Sequence, residues 1–155
     1  MSKKPALLVS ACLMGVQCRY DGGGMRLEGL ERLMDLCAVI PVCPEQLGGL
    51  PTPRTPSERV GDRVMSREGR DMTDAFSRGA RQACVLASLY GARLALLKTR
   101  SPSCGAGTIY DGSFTGRVVP GSGVTAQALA EMGVAVYTEE NIETLFELLI
   151  KENAK

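Results

Sequence analysis

Three short, apolar, β-prone runs each deliver a cysteine into a polar loop, and that repetition limits the available folds more than any other feature of the chain. Ala6-Leu7-Leu8-Val9 leads through Ser10-Ala11 to Cys12, Ala38-Val39-Ile40-Pro41-Val42 leads to Cys43, and Leu94-Ala95-Leu96-Leu97 leads through Lys98-Thr99-Arg100-Ser101-Pro102-Ser103 to Cys104. Short apolar runs bounded by turn formers are the pattern of strands buried on both faces. Between them lie amphipathic segments. Leu27, Leu30, Leu33, Met34 and Cys37 share one helical stripe, and a long helix over 71–90 turns Phe76, Ala80, Ala83, Cys84 and Ala87 to the core. A helix from Gly121-Ser122-Gly123-Val124 to about Met132, a fourth strand over 134–137 and a closing helix over 142–150 complete the alternation. This order predicts a single α/β domain over residues 1–155, Rossmann-like, with three αβα layers and a mostly parallel sheet of about four strands. A length of 155 residues suits one core.

In open sheets of this kind, ligands collect beyond the carboxyl ends of the strands, near the switch in strand order. Cys12, Cys43 and Cys104 each lie just past such an end and are expected to be neighbours, although about thirty and sixty residues separate them. Cys37 and Cys84 fall on apolar stripes and are expected to pack as small hydrophobes. Cys18 gains no placement from this argument, unless the loop after Cys12 folds back. The glycine run Gly22-Gly23-Gly24 lacks the strand-to-helix spacing of a phosphate loop. Prolines and paired glycines after Cys43 imply an ordered loop, 55–71 a solvated hairpin or loop, and 105–116 a hairpin or excursion with an Asp111-Gly112 turn. Gly105 is expected to let the backbone approach whatever Cys104 holds.

The chain contains no histidine. That removes the commonest neutral-pH base and metal ligand, and with it zincin, Cys-His and Ser-His-Asp chemistry. A formal net charge of +1 with interspersed signs gives no basic footprint, so no nucleic-acid partner is expected. The start, Met-Ser-Lys-Lys-Pro, precedes too few apolar residues for an export signal or membrane span. A cytoplasmic protein with no membrane partner is expected, and its six cysteines then read as thiols or metal or cluster ligands, not disulfides. Three thiols without histidine can hold zinc, yet the usual paired zinc spacings are absent. An iron-sulfur cubane commonly takes four thiolates, so three leave one iron open to a substrate atom, and soft iron favours sulfur there.

At these residues the chain resembles the thiouracil desulfidase family, small iron-sulfur proteins formerly catalogued as a domain of unknown function. The matching stretches are Val9-Ser10-Ala11-Cys12-Leu13-Met14-Gly15, Arg19-Tyr20-Asp21-Gly22, Pro41-Val42-Cys43-Pro44-Glu45, Gly48-Gly49-Leu50-Pro51-Thr52-Pro53-Arg54 and Ser101-Pro102-Ser103-Cys104-Gly105. The resemblance implies a 4Fe-4S cluster held by Cys12, Cys43 and Cys104, with its fourth iron open to the sulfur of a thiolated nucleobase. It also implies Glu45 as acid/base group, Ser101 assisting at the substrate, and substrate contacts at Glu45, Ser101 and Ser103. Thiouracil would become uracil and sulfide without net electron transfer. Plainer readings are a loop carboxylate capping a helix or pairing with an arginine for Glu45, and a turn hydroxyl for Ser101. A sulfur or cluster carrier, or a desulfidase for thiolated nucleosides or another thioamide, are the alternative functions. The sequence leaves the oligomeric state open.

Overall fold

The computed structural model describes residues 3–155; Met1 and Ser2 of the N-terminal expectation lie outside the described residues. Four strands, β1 (Ala6–Ser10), β2 (Ala38–Val42), β5 (Leu94–Leu97) and β8 (Ala135–Thr138), form a parallel sheet in the order β2-β1-β5-β8. Leu7 stands beside Val39 on one side and Leu94 on the other, and Leu97 beside Thr138. The chain steps from β1 outward to β2, then back across to β5 and β8. The switch in direction therefore lies between β1 and β5.

Successive side chains of the central strands point to opposite faces, so each apolar run feeds two cores. Leu7, Val9, Leu94 and Leu96 pack with Leu33 of α1 (Leu30–Leu36) and with Leu145, Phe146 and Leu149 of α5 (Ile142–Asn153). On the other face Leu8, Ala95 and Leu97 meet Ala83 and Ala87 of α3 (Thr73–Tyr90) and Ala126 and Leu129 of α4 (Val124–Glu131). This is the expected three-layer αβα arrangement. Small residues on α3 and α4 let these two helices pack closely on each other and on the sheet.

The differences from expectation have local causes. Helix α1 starts at Leu30 because Gly29 takes a left-handed conformation (φ 85°) and the Leu27 amide is committed to the Leu13 carbonyl. Helix α3 starts at Thr73, whose amide is accepted by the Asp71 carboxylate at 2.9 Å. The segment after Cys43 contains a helical turn, α2 (Pro44–Leu47), with Pro44 in the first turn, where a missing N–H costs nothing. Two antiparallel hairpins stand apart from the sheet: β3 (Ser57–Val60) with β4 (Arg63–Ser66), and β6 (Thr108–Tyr110) with β7 (Val118–Pro120).

Candidate active site

Each thiol sits where its strand runs out. Beyond β1 the chain tightens into a 3-10 turn, Ala11–Leu13, that carries Cys12. Cys43 is the N-cap residue of α2. Cys104 lies in the loop after β5, where the Ser101 hydroxyl oxygen accepts the amides of Ser103 (3.1 Å) and Cys104 (3.0 Å). Helix α2 is fixed against α3 backbone to backbone: a Cβ on Gly79 would run into the Pro44 carbonyl, and one on Gly48 into the Ala75 carbonyl. Cys12, Cys43 and Cys104 all line one cavity of about 410 Å³.

Cys18 lines it as well, because the loop after Cys12 doubles back: the Met25 amide donates to the Cys12 carbonyl at 2.8 Å. The Cys43 thiol points to the Cys18 carbonyl at 3.7 Å. Cys37 does not approach the cavity; it is buried in α1's core and donates to the Leu33 carbonyl at 3.0 Å. Cys84 is half-buried on α3.

Burial pushes the Cys12 thiol up to about 11, with Lys98 pulling the other way, and the Cys104 thiol up to about 12 against a hydrogen bond from Ser10. Burial and the neighbouring Cys43 thiol also raise Cys18. A desolvated thiol ionises when a cation arrives to hold the thiolate, so this donor set suits a soft, positively charged metal centre. Among the described residues no group of three His, Cys, Asp or Glu side chains is arranged to hold one metal ion. An all-thiolate donor set without histidine is of the chemical kind that iron-sulfur clusters take.

Glu45 lines the cavity from α2, two residues beyond Cys43. Its Oε1 pairs with Arg54 Nε at 3.4 Å. The Arg54 side chain is only 6 % exposed and also donates to the carbonyls of Cys18 (2.9 Å) and Pro51 (3.1 Å) and to Thr52 Oγ1 (3.0 Å). One guanidinium thus ties the Glu45 carboxylate to the loop bearing Cys18. Arg54 carries no role in the sequence reading beyond its place in the quoted stretch; a lone arginine after a proline-rich loop gives no sign of this hub. Lys98 Nζ meets Glu139 Oε2 at 2.7 Å, and Glu139 Oε1 accepts the Thr99 amide at 2.8 Å, which joins the ends of β5 and β8 beside Cys12.

Ser101 faces the cavity, but Ser103 does not. Ser103 is fully buried, with its hydroxyl 2.8 Å from that of Thr125, so it anchors the Cys104 loop to α4 instead of meeting a substrate. Gly105 also differs from expectation: a Cβ there would meet the Ser101 carbonyl at 2.7 Å and the Ile109 side chain at 2.9 Å, so the close approach is within the loop itself. A second part of the lining comes from the two hairpins and their ends, with Glu58, Arg67, Tyr110 and Phe114. Nothing in the sequence pattern brought these residues to the site. No helix among the described residues is long and apolar enough to cross a membrane.

Comparison with known proteins places this geometry in a lineage. An uncharacterized protein of Bacillus subtilis (strain 168), YbbK, is 37% identical over 149 residues, covering 90% of this chain and 99% of its own. A solved structure described as the 4Fe-4S-dependent thiouracil desulfidase TudS is 42% identical and superposes with a TM-score of 0.89 over 96% of this chain and 98% of that one. The family model for 2-thiouracil desulfurase matches residues 7–141, a span that runs from β1 through the cysteine-bearing strand ends to the start of α5. With fold and sequence agreeing over that span, the chain belongs to the 2-thiouracil desulfurase family.

Proposed function

We propose that this protein is an iron-sulfur-dependent desulfidase that hydrolyses thiouracil-like nucleobases to uracil and sulfide. The observation that carries the reading is the convergence of Cys12, Cys43 and Cys104, from the ends of three adjacent strands, on one cavity that Glu45 and Ser101 also line. These three cysteines would hold a 4Fe-4S cluster, one thiolate to an iron, leaving the remaining iron available to a substrate sulfur. When bound, the cluster supplies a soft Lewis acid that takes the thiocarbonyl sulfur and makes it a competent leaving group.

The chain's own residues do the rest. Glu45 takes one proton from water as its oxygen adds to the carbon bearing sulfur; as the carbon–sulfur bond breaks and the carbonyl forms, that proton and the second water proton leave with the sulfur as hydrogen sulfide, the carboxylate is restored, and no electrons are transferred. Arg54 keeps the carboxylate oriented, since its guanidinium is itself fixed by three further acceptors. The Ser101 hydroxyl oxygen is occupied by two backbone amides, which leaves its proton to donate to the heterocycle.

Protein reconstituted without oxygen is expected to hold about four irons per chain, as a cubane requires, and to release uracil and sulfide in equal amounts from thiouracil. Zinc uptake without iron, or a loaded protein that transfers its cluster and turns over no thiobase, would replace this reading with a zinc site or a carrier.

A further inference from the structure

The hairpin part of the cavity lining contains an aromatic ring held under unusual backbone constraint. Phe114 adopts φ 58°, the left-handed region that a bulky residue avoids and that persists only where the surroundings over-determine it. Those surroundings are visible. The buried Glu58 carboxylate, from β3, accepts the amides of Gly112 (2.9 Å) and Phe114 (3.1 Å), so one side chain from a separate hairpin caps the β6–β7 tip. Asp111 accepts both the amide and the hydroxyl of Ser113 (2.9 and 2.5 Å), which closes the turn from within. Gly112 (φ 95°) lies where a side chain would strike Val60, pressing the tip onto β3. The Arg67 guanidinium stands 5.6 Å from the ring centroid and restricts its plane.

The chain has three phenylalanines and no tryptophan. Phe76 and Phe146 are buried at 1% and 4% exposure, each filling a core, whereas Phe114 is half-buried and lines the cavity. A strained backbone, a buried carboxylate committed to two amides and a cation beside the ring serve no core; they hold an aromatic ring at one place in the lining of the cavity that the thiols share. A thiopyrimidine is flat, and its carbon–sulfur bond lies in the ring plane. A stack fixes that plane, and with it the direction in which the sulfur points.

We infer that Phe114 is the stacking platform for the substrate ring and a determinant of specificity for flat heterocycles, with Glu58 as the positioning residue that holds it. The inference rests on the desulfidase reading above and adds to it the group that orients the base. Loss of a base–aromatic stack weakens binding roughly 5- to 150-fold. Phe114→Ala and Phe114→Leu should therefore raise KM for thiouracil within that range and weaken binding of uracil, which carries no sulfur, by the same factor. Because the ring also orients the sulfur, kcat should fall as well, with wild-type iron content and circular dichroism. Phe114→Tyr restores KM. Glu58→Gln keeps an acceptor oxygen and should stay within about threefold of wild type, whereas Glu58→Ala should approach Phe114→Ala in KM and in uracil affinity.

A KM and a uracil affinity within twofold of wild type in Phe114→Ala, on a wild-type background that turns over, would overturn the stack and leave the desulfidase reading standing. An equal loss in Phe114→Tyr would also overturn it. Cluster-loaded wild type that binds neither uracil nor thiouracil would overturn the functional reading, and the stack with it.

Discussion

The two walls of the cavity are built by different means. The thiol wall consists of the ends of β1, β2 and β5, held in register along a parallel sheet and backed by two cores. The other wall consists of two hairpins with strands of four and three residues, and neither joins the main sheet. That wall is placed by side chains reaching across the chain: Glu58 to Gly112 and Phe114, and Arg59 Nη1 to the Ser122 carbonyl at 2.6 Å. The thiol-bearing side is thus part of the main sheet and its two cores, while the hairpin side is held by cross-chain polar contacts and by single buried anchors such as Val64 and Ile109. Such a division lets a family keep its chemistry while altering its substrate, because hairpin changes leave the sheet intact.

The largest effect should come from the thiol wall. Cys12→Ser, Cys43→Ser and Cys104→Ser should each abolish a stable cluster and all turnover, measured as iron per chain and uracil formed. Cys37→Ala and Cys84→Ala should keep full iron and lose about 1 kcal/mol of stability in urea through small cavities. Equal iron loss on removing Cys84 would erase the distinction between site and core thiols. Cys18→Ala sharpens the boundary: retained iron places Cys18 in the wall without making it a ligand.

Next comes the chemistry carried on α2. Glu45→Gln keeps shape and most hydrogen bonding but cannot take a proton, so turnover should fall by about two to four orders of magnitude with iron content unchanged. Near-normal turnover with an intact cluster would assign water activation elsewhere. A smaller effect is expected from Gly79→Ala, where the new methyl meets the Pro44 carbonyl. Forcing it in should cost about 1–3 kcal/mol and lower iron retention, because α2 carries Cys43 at its N-cap. The smallest should come from the hairpin wall. Arg59→Met releases β3 from Ser122 and should raise KM a few-fold with iron content and kcat intact; iron loss there would show that the two walls are not separable.

Much of the thiol wall was legible because parallel-sheet topology turns sequence pattern into position. Apolar runs name the strands, and whatever follows them lies at one edge. Two of the boundaries that shifted did so where single groups intervened, at Gly29 and Asp71. Position along a loop, however, does not say which way a side chain faces. Ser101 and Ser103 are two residues apart; the first opens to the cavity, and the second turns inward to Thr125. Prolines after Cys43 read as breakers of regular structure, yet Pro44 in the first turn of a helix is compatible with it. The hairpin wall was not legible as part of the site. Its short strands carry no periodic signal that points to a partner, and Glu58 and Phe114 meet across 56 residues through one carboxylate.

Helix α2 has only four residues, and a helix that short has no stability of its own in water. Its contact with α3 through Gly48 and Gly79 leaves no side chain between the two backbones to act as a hinge. Exchange of its amides with deuterium should therefore require α3 to undock. The Leu47 and Gly48 amides, which bond to the Cys43 and Pro44 carbonyls at 2.9 Å, should exchange as slowly as the middle of α3 and far more slowly than the loop that follows. The segment bearing Cys43 and Glu45 should then move only on the timescale of core opening, so the groups proposed to hold the cluster and to activate water would keep one arrangement.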